Sequence, residues 1–325
     1  MADSSLARRI LIWALRLLIL AAVIFGVGHT FQNAAARIDA HDWQVRPVWL
    51  VASGALYIAG LVPTAWFWQR VLAALGQPVP WQHAFNAHFL GHLGKYVPGK
   101  ALVVVLRIGG VRRWITSTWL AVISTLLETM LMMAVGAFLA AVLLAITLPM
   151  PRGMTALAFA IAAVCLLPTL PPLARFITHK GLRRFHFTMS DPLTHATAEV
   201  DAQQLVAPIT WRLWASGWIA SLACWTLFGL SLWAMLRAIG VESVHPIVDL
   251  PFLVGAVSLA VVGGFVSFLP GGVLVRDALL LQLLTPVCGE ANALVAAVLL
   301  RLVWLVSEVL ICGILYVVAI RWRAR

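Results

Sequence analysis

The chain has 325 residues, 62% of them hydrophobic and only 11% Asp, Glu, Lys or Arg. A soluble domain averages about a quarter charged residues, so this composition excludes a water-soluble core wrapped in a charged shell. The net charge of +11, from 23 basic against 12 acidic residues, sits in short loops beside apolar runs, which points to anionic headgroups and a positive cytoplasmic face, not to nucleic acid.

A helix needs roughly 20 apolar residues to cross a hydrocarbon core. Several runs reach that length, and the alternating segments of about ten residues that mark a membrane barrel are absent. The expected fold is therefore all-α, a polytopic bundle of about eight spans in one integral membrane domain, 1–325. The first run, Ile10–Gly28, follows Arg8 and Arg9 and is interrupted by Arg16. With no small-residue cleavage site after it, it reads as a retained span with a cytoplasmic N-terminus, not a signal peptide. The second span is Val48–Trp68, closed by Trp66, Trp68 and Arg70 at an interface.

The segment Ala84–Gly110 is apolar enough for the membrane, but it is broken by Gly91, Gly94, Pro98 and Gly99. It also carries His88, His92, Lys95 and Lys100. Irregular backbone at membrane depth is tolerated only where it is buried or faces water. The reading is a re-entrant pair of half-helices with Pro98–Lys100 at the turn, after which Arg107, Arg112 and Arg113 return the chain to the cytoplasmic side. The third span lies in Ser117–Leu148 and the fourth in Met154–Phe176. The polar stretch Thr178–Ala207, with Lys180, Arg183 and Arg184, reads as a cytoplasmic loop too short for a catalytic domain.

The fifth span is Leu213–Leu236 and the sixth Leu250–Leu269. A second broken segment, Leu269–Gly289, starts on Pro270, Gly271 and Gly272 and carries the pair Arg276–Asp277; it crosses as a short helix or re-enters. The last span, Ala291–Ile320, ends in Arg321, Arg323 and Arg325. An even count of eight puts both termini, and every Arg cluster, on the cytoplasmic side.

Two Pro-Gly breaks, each followed within about ten residues by Arg107 or Arg276, suggest matched broken helices in two halves, 1–150 and 205–325, an internal inverted repeat joined by loop 178–207. Such breaks form the substrate site in many transporters; two chance proline kinks are the plain alternative. Charges inside spans carry more weight, because an ion at the bilayer centre costs about 2.5–3.5 kcal/mol even on the lenient scale. Glu128 lies among Ser124, Thr125 and Thr129, while Arg301 and Glu308 share a face of the last span. They line a substrate or ion pathway, or they staple helices, for example Arg301 with Glu128 or Asp277.

His88 and His92 stand at i, i+4, a spacing that can hold a metal, but no Cys or acid lies near them. Cys165, Cys224, Cys288 and Cys312 have no CxxC spacing. No nucleotide, nucleophile-elbow or paired-carboxylate motif is present, so no cofactor, metal or catalytic residue is expected.

The segments LGKYVPGK (Leu93–Lys100), FLPGGVLVRDALLLQLL (Phe268–Leu284) and AAVLLRLVWLVSEV (Ala296–Val309) resemble the flippase-like membrane domain of lysylphosphatidylglycerol synthases, shared by stand-alone bacterial proteins, some of them hopanoid-associated. The resemblance covers nearly the whole chain. It implies a bundle around a lipid-accessible cavity that binds a polar-headgroup lipid or moves it between leaflets of the inner membrane. The sequence stops at Arg325 without the aminoacyl transferase domain of the long synthases, so no lysylphosphatidylglycerol synthesis is expected. Asp277 stands where the family leads one to expect Glu.

The expected site comprises Lys95, Pro98, Gly99, Lys100, Arg107, Glu128, Pro270, Gly271, Gly272, Arg276, Asp277, Arg301 and Glu308. In it Lys95, Lys100 and Arg276 attract an anionic headgroup, Arg301 holds it at depth, and the acids balance charge or carry protons. The rival readings are a non-transporting accessory protein that recruits enzymes of lipid, hopanoid or polyprenyl-glycan synthesis, and an intramembrane enzyme.

Overall fold

The computed structural model describes residues 45–96, 101–149, 151–172, 175–176, 189–190, 197–198, 210–267, 269, 272 and 274–323. The expected first span Ile10–Gly28, the turn Pro98–Lys100, Pro270 and Gly271, and most of the Thr178–Ala207 loop lie outside these residues.

The described residues form a helical bundle. Its long members are α1 (Pro47–Ala74), α4 (Thr118–Thr147), α6 (Trp211–Ala238) and α9 (Glu290–Arg323). These are the helices long and apolar enough to cross a membrane among the described residues. The short members are α2 (Trp81–Leu93), α3 (Ala101–Val111), α5 (Arg152–Leu166), α7 (Leu250–Val266) and α8 (Val275–Cys288). Two-residue strands, Met189–Ser190 and Thr197–Ala198, pair antiparallel. Outward faces of α5 and α9, such as Leu157, Ile161, Val164, Val306 and Leu310, are exposed and apolar, as hydrocarbon requires.

Local chemistry sets the starts. Pro47 opens α1 at a position where its missing N–H is no loss. Ser117 caps α4 and Thr210 caps α6, each hydroxyl accepting a first-turn N–H, from Leu120 and Leu213. Pro63 lies inside α1.

Helices α1 and α6 cross antiparallel at the centre. The Arg46 N–H reaches the Ala238 carbonyl at one end (2.8 Å), and Gly217 admits Phe67 toward the other. Between them Ser53 and Ser231 each donate to the other's carbonyl at 2.8 Å. Trp304 on α9 adds its indole N–H to Ser231 Oγ at 3.0 Å. Lipid gives no hydrophobic push between helices, so small residues and hydroxyl bonds of this kind hold them together. Around the crossing, Trp225, Phe228, Leu232, Leu253 and Leu300 fill the core.

Helices α2 and α3 form the first re-entrant hairpin. They pack antiparallel, Gly91 against Arg107 and Gly110 against Ala87. A methyl group on Gly94 would stand 2.5 Å from the Val103 amide nitrogen, so only glycine permits this approach. The mouth opens where α1 ends, closed by Gln77, whose Oε1 accepts from the Thr116 N–H at 2.7 Å.

Helices α7 and α8 form the second. Helix α7 has 17 residues and α8 has 14, both below the roughly 20 residues of a typical span. Gly264 and Gly272 meet near the tip, and Gly263 faces Leu279, so α8 doubles back along α7. The broken segment thus re-enters, and Leu250–Leu269, expected as a full span, is its inward limb. Gly272 has φ +67° and a Cβ there would lie 2.9 Å from the Gly264 Cα. Leu274 has φ 71° and ψ −53°, a strained turn for a residue with a Cβ. The fourth span is also shorter than Met154–Phe176, since α5 ends at Leu166 and tightens into a 3-10 turn through Thr169.

Because α1 and α6 are antiparallel and α9 runs parallel to α1, the two hairpins enter from opposite ends. A long helix, a short antiparallel pair and a long helix follow one another over 47–147, and again over 211–323.

Candidate functional site

Both hairpin tips reach α9 in the middle of the bundle. From the first, Lys95 in the 3-10 turn Gly94–Tyr96 donates to the Glu308 carboxylate, and also to the Tyr57 hydroxyl at 3.0 Å. Tyr57 in turn donates to Glu308. Glu308 is fully buried, whereas the Lys95 side chain keeps 27% of its surface. Lys95 is thus the accessible partner of a sequestered acid.

From the second tip, Arg276 lays its guanidinium over Trp304, 4.2 Å from the ring centroid. Tyr57 stacks on the same indole, with centroids 4.2 Å apart and planes 13° apart. The sequence Lys95–Tyr57–Trp304–Arg276 therefore bridges the two tips. Arg276 is only 8% exposed, and its Nε and Nη2 have no hydrogen-bond partner among the described residues. A buried donor left unpaired costs about 1–3 kcal/mol, more when charged, and a guanidinium offers a planar fork that fits carboxylate or phosphate. Asp277, the next residue, instead accepts from Arg301 at 2.7 Å, and its Oδ1 is unpartnered among the described residues.

Arg107 and Glu128 stand apart from this cluster. They form their own pair at 2.6 Å, 3% and 2% exposed, with Arg107 also over Trp68 at 5.2 Å. Arg107 is thus a buried link between α3 and α4, not a residue returning the chain to an interface. Glu128 does not meet Arg301. Pro98, Gly99, Lys100, Pro270 and Gly271 lie outside the described residues, while Gly272 sits at the α7–α8 tip beside Gly264.

Sequence reasoning missed Tyr57 and Trp304, the aromatic centre. A signal existed: tyrosine and tryptophan normally collect at the two interfaces. Tyr57 lies inside an apolar span, and with Tyr96, whose ring faces the Lys95 ammonium at 5.2 Å, it makes up two of the chain's three tyrosines. Of the histidines, His83 packs on Trp114, with centroids 4.8 Å apart. The His88 Nε2 lies 3.2 Å from His92 Nε2 and 3.1 Å from Thr64 Oγ1. Among the described residues no group of three or more His, Cys, Asp or Glu is placed to hold a metal ion.

A family model described as the lysylphosphatidylglycerol synthase TM region matches residues 13–312. No curated protein matches the chain.

Proposed function

The chain belongs to the lysylphosphatidylglycerol synthase transmembrane-region family, and from that premise we propose that it binds a polar-headgroup lipid where its two hairpin tips meet and moves it between the leaflets of a bacterial inner membrane. One observation carries the proposal: Arg276, buried at the bundle centre, has two guanidinium nitrogens without a partner among the described residues. A charge held at that depth normally faces a partner or a pathway. A lipid phosphate supplies the missing acceptors, and Lys95 across the Tyr57–Trp304 stack supplies a second cation.

In this reading Arg301, held by Asp277, adds positive potential, and Lys100, Pro98, Gly99, Pro270 and Gly271 remain proposed members of the headgroup site. The Arg107–Glu128 pair keeps the first hairpin on α4. The acyl chains remain in surrounding lipid. The oppositely entering hairpins, in units 47–147 and 211–323, are the halves of an inverted repeat that exposes the site to each leaflet in turn. Arg70, Arg112, Arg113 and the last turn of α9 share one end, which the distribution of basic residues assigns to the cytoplasm along with both termini.

The test is reconstitution in liposomes with headgroup-labelled lipids, with mass spectrometry of lipids retained on purification. Leaflet transfer, and one retained anionic or zwitterionic class, is the expected result. Neither transfer nor retention would end the proposal. A second reading, an accessory protein that recruits lipid-biosynthesis enzymes and transports nothing, draws on Arg301–Asp277 and Arg107–Glu128, whose geometry is that of helix staples. It expects Arg276→Gln to leave the cellular phenotype intact.

A further inference from the structure

The lipid site absorbs Lys95 and Glu308 but leaves the histidines unused. His88, His92 and Lys95 follow at i, i+4 and i+7 along the inward limb of the first hairpin, so they lie on one face of it. We propose that this face conducts protons from the hairpin mouth to Glu308, and that one proton accompanies each anionic lipid. The inference rests on the lipid-binding reading and names its coupling ion.

The row is continuous at its start. The His88 and His92 Nε2 atoms are 3.2 Å apart, so one donates while the other accepts, and a proton reaching the pair can be handed inward. His88 is fully buried, and its Nδ1 has no partner among the described residues, so in the proposed relay that nitrogen takes the proton. His92 is half-buried and stands one turn, about 5–6 Å between Cβ atoms, from Lys95. In the proposed relay a water carries the proton from His92 to Lys95. Lys95 then touches Glu308 directly.

Other groups define the field. Around the histidines it is set by Arg107 from α3 and Lys95. Around Glu308 it is set by Tyr57 from α1, Lys95 and Tyr96 from the 3-10 turn, Arg276 from α8, and Arg301 and Cys312 from α9.

The step balances without redox chemistry. A Lys95 N–H breaks as a Glu308 O–H forms, and the neutral amine takes a proton from protonated His92 through water. The net change is one imidazole N–H lost and one carboxyl O–H gained. Neutral Glu308 no longer holds the Lys95 ammonium by charge, and Lys95 turns to the headgroup phosphate. Glu308 and phosphate compete for one cation, which ties proton uptake to anion loading.

The experiment uses the full chain in liposomes containing labelled phosphatidylglycerol, with a one-unit pH gradient imposed. With one proton per lipid, such a gradient supports about a tenfold leaflet asymmetry. Wild type reaches it; Glu308→Gln, permanently neutral there, exchanges lipid to an even distribution; His92→Gln approaches the asymmetry more slowly, because a relay residue alters rate and not the end point. His83→Gln, outside the row, behaves as wild type. Lipid that exchanges freely but ignores the gradient overturns the proton inference and leaves the lipid reading standing.

If no lipid exchanges, the lipid reading fails and infrared spectroscopy decides the relay. Stepping the pH should raise a protonated-carboxyl band, missing in Glu308→Gln, whose rise is slowed about tenfold or more in His92→Gln, within the range of a lost proton-transfer group. A band indifferent to His92→Gln overturns the relay.

Discussion

The guanidinium carbon of Arg276 lies 4.2 Å from the centroid of the Trp304 ring, so the cation at one hairpin tip rests on an aromatic face. A desolvated contact of this kind contributes about 2 kcal/mol, and it leaves the donor edge of Arg276 unspent. Arg276→Gln should lower retention of an anionic lipid about tenfold or more, read by quantitative lipid mass spectrometry. Arg276→Lys should recover little, because an ammonium lacks the planar fork that stacks and chelates together. Full recovery by lysine would show that only charge matters there.

Arg107 and Glu128 test a staple against a site. Removing one member of a buried pair costs about 3–5 kcal/mol, whereas replacing both with apolar residues is often neutral. Thermal unfolding in detergent should show large losses for Glu128→Leu and for Arg107→Met, and near-complete recovery in the double variant. The double variant should also keep lipid exchange. If it stays stable but loses exchange, the pair belongs to the lipid path.

Gly94 tests the first hairpin. Its missing Cβ is the space in which the Val103 amide sits, so Gly94→Ala must push α2 and α3 apart. Overpacking of this kind costs about 1–3 kcal/mol, visible as a lowered unfolding temperature. Lys95 should separate from Glu308 at the same time. Gly109, with open space around it, is the control, and Gly109→Ala should be neutral within about 0.5 kcal/mol.

Arg46 and Glu242 make an exposed pair at 2.8 Å where α1 begins. The Arg46 guanidinium, through its hydrogen bond and then its charge, holds the Glu242 carboxyl below the usual carboxylate range. A lowered folded-state value means the contact stabilises the protein above the unfolded value. That contribution is lost as pH falls through the folded one. Carbon NMR of Glu242 should show a midpoint that rises in Arg46→Gln, with no change if the two side chains are not paired in solution.

The apolar runs placed α4, α6 and α9 to within about three residues and α1 with its C-terminal end six residues short, because about 20 consecutive apolar residues mark a span but not where a helix runs on past it. Glycine and proline in Ala84–Gly110 correctly marked a hairpin, since no straight helix accommodates that backbone. The second hairpin was harder to read. Leu250–Leu269 is uniformly apolar and looks like a span, and only the Gly264–Gly272 approach, a contact between distant positions, shows that it turns back. Pairing was beyond the sequence for the same reason: Arg301 could reach Glu128 or Asp277, and only the fold selects Asp277. Tyr57 and Trp304 carry no charge, so the only sign of the aromatic bridge in the sequence is a tyrosine placed inside an apolar span.

The reciprocal bonds of Ser53 and Ser231 have a mechanical consequence. They fasten α1 to α6 close to the start of α1 and the end of α6, with the Trp304 indole clipped to the same hydroxyl. The Arg46–Ala238 bond lies at that same end, whereas the far end closes on packing such as Phe67 against Gly217. Motion between these two helices should therefore be smallest near Ser53 and grow toward Ala74 and Trp211.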